Sequence, residues 1–69
     1  MRKLEIIVNG KKKTIDCNVT LIDLLNGMKF YPETVVISLN DVIVDRNDYG
    51  MKTLKNNDSV EIIRFMSGG

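Results

Sequence analysis

The chain has 69 residues, 43% of them apolar and 28% charged, with ten Lys/Arg against nine Asp/Glu for a formal charge of +1 and no histidine. That length holds one small domain, which buries only about 60% of its unfolded surface, and the near-balance of charge excludes the electrostatic footprint of a dedicated nucleic-acid binder. A protein or small-group partner is expected in place of nucleic acid; and since apolar runs stop at three residues, as in Ile6-Ile7-Val8, Val35-Val36-Ile37 and Val42-Ile43-Val44, where a bilayer span needs roughly 20, no transmembrane helix is expected.

Arg2 and Lys3 lead into alternation instead of a continuous apolar segment, which is not the pattern of a secretory signal and makes the cytoplasm the expected compartment. From Lys3 to Val8, the apolar Leu4, Ile6 and Val8 alternate with Lys3, Glu5 and Ile7, the period of a strand with one buried face. Asn9-Gly10 offers the two positive-φ positions of a type I′ turn, so Lys11 to Asp16 is the return strand of a hairpin. Lys11, Lys12 and Lys13 make that strand hydrophilic, with Ile15 its main apolar residue, as suits a sheet edge whose charges discourage pairing with other chains. Thr20 and Asp23 have the spacing of a capping-box variant, and Leu21, Leu24, Leu25 and Met28 form one apolar stripe. These signals predict a helix over about residues 20–28, its last turn weakened or ended by Gly27.

Tyr31-Pro32 starts the connection out of the helix. Thr34 to Leu39 reads as a β-branched strand, Asn40-Asp41 as a turn and Val42 to Val44 as a short strand. Asp45 to Asp58 is polar and turn-rich, an irregular excursion that Tyr49, Met51 and Leu54 anchor to the core. Ser59 to Phe65 is the last strand. Met66-Ser67-Gly68-Gly69 carries no pattern, so the domain is expected over 1–65 and a flexible tail over 66–69. The order of elements makes an α+β fold, a mixed sheet of four to five strands packed on one main helix, and β-grasp is the simplest architecture that uses them all. The helix is the crossover of about a dozen residues that strands outside a hairpin need. Leu4, Ile6, Val8, Leu21, Leu24, Leu25, Ile37, Leu39, Val60 and Ile62 are the expected core of a monomer.

A single cysteine and no histidine leave no intramolecular disulfide, no zinc site of the usual ligands and no Ser/His/Asp or Cys/His nucleophile. The expectation is therefore a non-enzyme with no metal and no bound cofactor. Cys17 lacks an adjacent cationic or histidine residue and is expected to be a partly buried, inert thiol. Gly68-Gly69 is the most unusual feature. A chain end without side chains is thin enough to thread a narrow tunnel, and a Gly69 carboxylate with no adjacent Cβ leaves its carbon open to an activating phosphate and then a nucleophile. Parity also places Ile7, Ile63 and Phe65 on the sheet face away from the helix, where an apolar patch close to the tail would dock a partner.

Val8-Asn9-Gly10, Val19-Thr20-Leu21-Ile22-Asp23-Leu24-Leu25 and Leu39-Asn40 are followed by Ile43-Val44, Arg46, Tyr49, Asp58-Ser59-Val60-Glu61-Ile62-Ile63 and Gly68-Gly69. In that order and spacing the chain resembles the ubiquitin-like sulfur carriers of thiamine and molybdenum-cofactor biosynthesis, most closely the thiamine type. Asp45, Tyr49 and Asn57 depart from the proline, tryptophan and glycine frequent at those places, each mildly, since Tyr keeps an aromatic anchor and Asn tolerates left-handed backbone. The resemblance implies that a ubiquitin-activating-like adenylyltransferase adenylates the Gly69 carboxylate with ATP. A sulfur donor such as a cysteine desulfurase then supplies the sulfur of a C-terminal thiocarboxylate, which a thiazole synthase consumes. A carrier for molybdopterin or another pathway, a protein modifier conjugated through Gly69, and an interaction module with an inert tail stay open as alternatives on the same fold.

Overall fold

The computed structural model describes residues 2–65; the expected tail, with Gly68 and Gly69, lies outside them. Five strands form one mixed sheet: β1 (Lys3–Val8), β2 (Lys11–Asp16), β3 (Val35–Leu39), β4 (Val42–Val44) and β5 (Ser59–Arg64), with helix α1 (Leu21–Gly27) between β2 and β3. Their order across the sheet is β2-β1-β5-β3-β4. The helix crossover therefore does not join neighbours: it carries the chain from the β2 edge past two strands to β3. β5, last in sequence, is central, parallel to β1 and antiparallel to β3.

Both hairpin turns follow from their asparagines. Asn9 and Gly10 have φ of 50° and 83°, and Asn40 and Asp41 have 51° and 69°, so each turn holds two left-handed residues and matches the twist of its strands. The same asparagines also reach β5. The Asn9 N–H donates to the Val60 carbonyl (2.9 Å); its side-chain Oδ1 accepts from the Ile62 N–H (2.8 Å) and its Nδ2 donates to the Ile62 carbonyl (3.3 Å). On the other flank the Asn40 N–H donates to the Ser59 carbonyl (2.7 Å) and its Oδ1 accepts from the Ser59 N–H (2.9 Å). Each side-chain amide thus stands in for a peptide group and extends the ladder past the end of its strand.

Helix α1 opens on the expected capping box: the Asp23 N–H donates to Thr20 Oγ1 (3.2 Å) and the Thr20 N–H to Asp23 Oδ2 (3.1 Å). Its end is set at a different residue from the one expected. Gly27 is still helical, and Lys29 takes the left-handed position (φ 63°). The Lys29 N–H returns to the Asn26 carbonyl and the Phe30 N–H to the Leu25 carbonyl, a Schellman motif with lysine at C′. The helix N-terminus also gains partners from the excursion, because the Leu21 and Ile22 N–H groups donate to the Lys52 and Tyr49 carbonyls. A single bridge between Thr20 and Thr53 completes this strap.

The core lies between α1 and the inner sheet face, with Ile6, Leu21, Leu25, Ile37, Leu54, Val35 and Val60 fully enclosed. Leu4 and Leu39, expected inside, are half-buried at its rim, and Val35 and Val44, not among the expected core residues, are buried in it. Tyr49 and Leu54 anchor the excursion as expected, Tyr49 also accepting the Ile37 N–H on its hydroxyl (3.2 Å). Met51 does not: it is 75% exposed. Two further boundaries shift by one residue. Thr34 belongs to a 3₁₀ turn over Pro32–Thr34 so that β3 begins at Val35, and β5 ends at Arg64, whose guanidinium lies 5.5 Å from the Phe30 ring centre. Asp45 and Asn57 carry their departures locally, Asp45 Oδ1 accepting the Asn47 N–H and Asn57 adopting φ 70°. Cys17 is half-buried.

Truncating Leu24 to Ala removes a buried stripe residue and is expected to cost about 2–5 kcal/mol in denaturant unfolding; a near-neutral midpoint would refute its place in the core. Asn9→Gly keeps a turn tolerant of positive φ but deletes both amide bonds to Ile62, with an expected cost of about 1–2 kcal/mol. Asn9→Ala adds left-handed strain of about 1–2 kcal/mol. Urea midpoints should fall in the order wild type, Gly, Ala.

Candidate functional site

Alternation along β5 sorts its side chains. Val60 and Ile62 point to the helix, while Ser59, Glu61 and Ile63 occupy the outer face, and Phe65 follows in the same phase. Ile63 is 55% and Phe65 40% exposed. The Phe65 N–H donates to the Thr34 carbonyl (3.1 Å), the last backbone tie among the described residues before position 66.

Ile7 does face outward, at 36% exposure, but the register separates it from the other two. It pairs with Ser59 in the parallel ladder, four residues before Ile63 on β5, a distance of about 13 Å at roughly 3.3 Å per residue. Its outer-face neighbours are polar: Lys12 opposite on β2, Glu5 on its own strand, and Ser59 and Glu61 on β5. The residues that join Ile63 come instead from β3 and β4. Val36 is its direct antiparallel partner, and Ile43, opposite Ser38 on β4, stands 65% exposed on the same face. The outer face is thus divided into a polar half over β2 and β1, where Lys3 Nζ meets Asp16 Oδ1 at 2.6 Å, and an apolar half over Val36, Ile43, Ile63 and Phe65.

Val36 was legible from alternation, because Val35 and Ile37 on the inner face force it outward. Ile43 was not: in a three-residue strand parity has no pattern to build on, and the face follows only from the pairing of Ile37 with Val44. Among the described residues no three His, Cys, Asp or Glu side chains are grouped to hold a metal ion, and no helix is long and apolar enough to cross a membrane. With Ile43, Ile63 and Phe65 exposed, the apolar half offers a surface for contact at the C-terminal end of β5.

Comparison with known proteins adds to this geometry. A thiamine biosynthesis protein, ThiS, from Geobacter metallireducens has a crystal structure that superposes with a TM-score of 0.81 at 33% identity, covering 96% of this chain and all (100%) of that one. Its solution structure gives 0.76 at the same 33% identity over 96% of this chain and 88% of that one. A thiazole synthase from Magnetococcus marinus is 35% identical over 66 residues, 96% of this chain. The chain spans only 20% of that relative's length. The model of the ThiS family matches residues 6–69, from within β1 through the other four strands and on past β5 to the Gly-Gly pair. The chain belongs to the ThiS family.

Proposed function

We propose that this chain is a sulfur carrier for thiazole formation in thiamine biosynthesis, a substrate of its partner enzymes and not a catalyst. The observation that carries the reading is the family match extending to residue 69, which takes in Gly68 and Gly69 together with the fold. The likeness to a thiazole synthase supports the same pathway. In this reading a ubiquitin-activating-like adenylyltransferase binds the carrier and a carboxylate oxygen of Gly69 attacks the α-phosphorus of ATP, releasing pyrophosphate. The outer sulfur of a donor persulfide, formed by a cysteine desulfurase or similar, then displaces AMP to give an acyl disulfide; a thiol attacks its S–S bond, leaving as a new disulfide with the donor and releasing the thiocarboxylate that a thiazole synthase consumes. The chain's own contribution is access and position: two residues without Cβ atoms at the reacting end, and a folded body that a partner can grip. The apolar half of the outer face, with Ile63 and Phe65 beside the outlet of β5, is the docking surface for the adenylyltransferase.

Intact-mass measurement of the protein from its native cell tests the whole reading, since replacement of one carboxylate oxygen by sulfur has a distinct mass, conjugation would add a target protein, and an inert tail would leave the mass unchanged. Deleting Gly69, appending a residue after it, or replacing Gly68 with a bulky residue should each reduce acyl-adenylate formation by roughly a hundredfold or more, with unchanged thermal stability. A carrier extended beyond Gly69 that is activated without trimming would overturn the mechanism. Ile63→Asp should weaken adenylyltransferase binding about tenfold, near 1.4 kcal/mol, whereas Ile7→Asp, set in the polar half, should change it far less; titration calorimetry on both variants separates the two positions.

A further inference from the structure

A second surface lies on the opposite side of the sheet from the outer face. Two adjoining depressions of about 340 and 220 Å³, both bordered by Lys13, run between β2 and α1. Their floor is apolar, with Val8 and Ile15 on the strand side and Leu24 and Met28 on the helix side. Among the described residues the strand that borders them is a free edge of the sheet. Because a two-residue turn closes on the hydrogen-bonded pair Val8 and Lys11, the bonded rungs continue at Ile6 with Lys13 and Leu4 with Ile15. The peptide groups of Lys12, Thr14 and Asp16 therefore point away from β1, at the outer limit of the sheet.

Gly27 supplies an independent observation. Glycine in a helix costs up to about 1 kcal/mol relative to alanine, and it is retained where backbone conformation or a close approach requires it. Neither reason exists among the described residues: the left-handed position at the helix end belongs to Lys29, and a Cβ built at Gly27 would meet nothing within 4 Å. Gly27 does border the groove. A side chain there would narrow the space facing β2, so the missing Cβ matters only to something that enters it.

Charge decides what enters. Lys11 and Lys13 lie on the helix side of β2 at the hairpin end, whereas Asp23 borders the other end and the Asp16 carboxylate is turned to the outer face, where it meets Lys3. A second copy of this chain is disfavoured, because pairing β2 with β2 brings two lysine triplets together. We propose that the groove receives an extended, acidic-ended peptide segment of a partner protein, added as a sixth strand to β2. Its main-chain groups pair with Lys12, Thr14 and Asp16, alternate apolar side chains fill the groove past Gly27, and its acidic residues lie over Lys11 and Lys13. Antiparallel pairing, the more stable ladder, places the acidic residues at the peptide's C-terminal end. This surface is separate from the outer face and does not depend on the chemistry of Gly69.

The test is a titration of the ¹⁵N-labelled full chain with a capped peptide of alternating valine and isoleucine followed by a run of acidic residues. Expected are amide shifts and slowed hydrogen exchange at Lys12, Thr14 and Asp16, with further shifts at Gly27 and Met28, and binding that weakens with added salt. Gly27→Gln should weaken binding at least tenfold with an unfolding midpoint no lower than wild type, and the paired change Lys11→Glu with Lys13→Glu should do the same for affinity. Absence of shifts at millimolar peptide, shifts centred on Ile63, equal binding of a peptide with lysines in place of the acids, undiminished affinity in Gly27→Gln, or preferential capture of a short RNA by the lysines would each overturn the proposal.

Discussion

The strand at the centre of this sheet is the last to be made, and its capture is the constraint on which the rest depends. β5 has to find β1 on one flank and β3 on the other, both far back in sequence, and the loop-closure cost of such pairings is met only if the partners are already shaped to receive it. The two hairpins provide that shape. Each ends its strand in a left-handed asparagine whose side-chain amide continues the row of donors and acceptors, so β5 meets a longer template than the strand lengths alone would offer. One residue type serves both needs, since few side chains other than asparagine tolerate positive φ and also carry a donor and an acceptor in peptide geometry.

The excursion between β4 and β5 has a comparable double use. Its polar composition leaves it only a 3₁₀ turn over Arg46–Asp48 as regular structure, yet its carbonyls reach the helix N–H groups that capping leaves open, and Tyr49 and Leu54 close the core from the side. The helix has only seven residues, Leu21–Gly27, too few to persist alone. It exists because its apolar stripe covers the sheet and its two ends are held by the capping box, the strap and the Schellman motif. Little stability is left over in a domain of this size, which makes these small local terms matter.

Much of this was legible in the residues themselves. Alternation placed β1, and Asn9-Gly10 placed β2 to the residue, because both signals are local and each has one physical solution. Thr20 with Asp23 marked the helix start for the same reason. The helix end was less legible: Gly27 carries the usual stop signal, but lysine can occupy the left-handed position when two carbonyls receive its own and its neighbour's N–H. Strand order could not be read from any segment alone, and the site suffered most from this. Parity correctly turned Ile7, Ile63 and Phe65 outward, but only the register of β1 on β5 shows that Ile7 belongs to the polar half, and only the pairing of β3 with β5 brings Val36 beside Ile63.

The central position of β5 has a mechanical side. A partner that grips the chain beyond Phe65 pulls along the axis of this strand, and the bonds to β1, β3 and the two asparagine amides lie across that axis. The load falls on all of them in shear, together, and a ladder loaded in this way cannot unzip one rung at a time as an edge hairpin peeled from its end can. Force applied along β5 is thus borne by its bonds to both neighbouring strands at once.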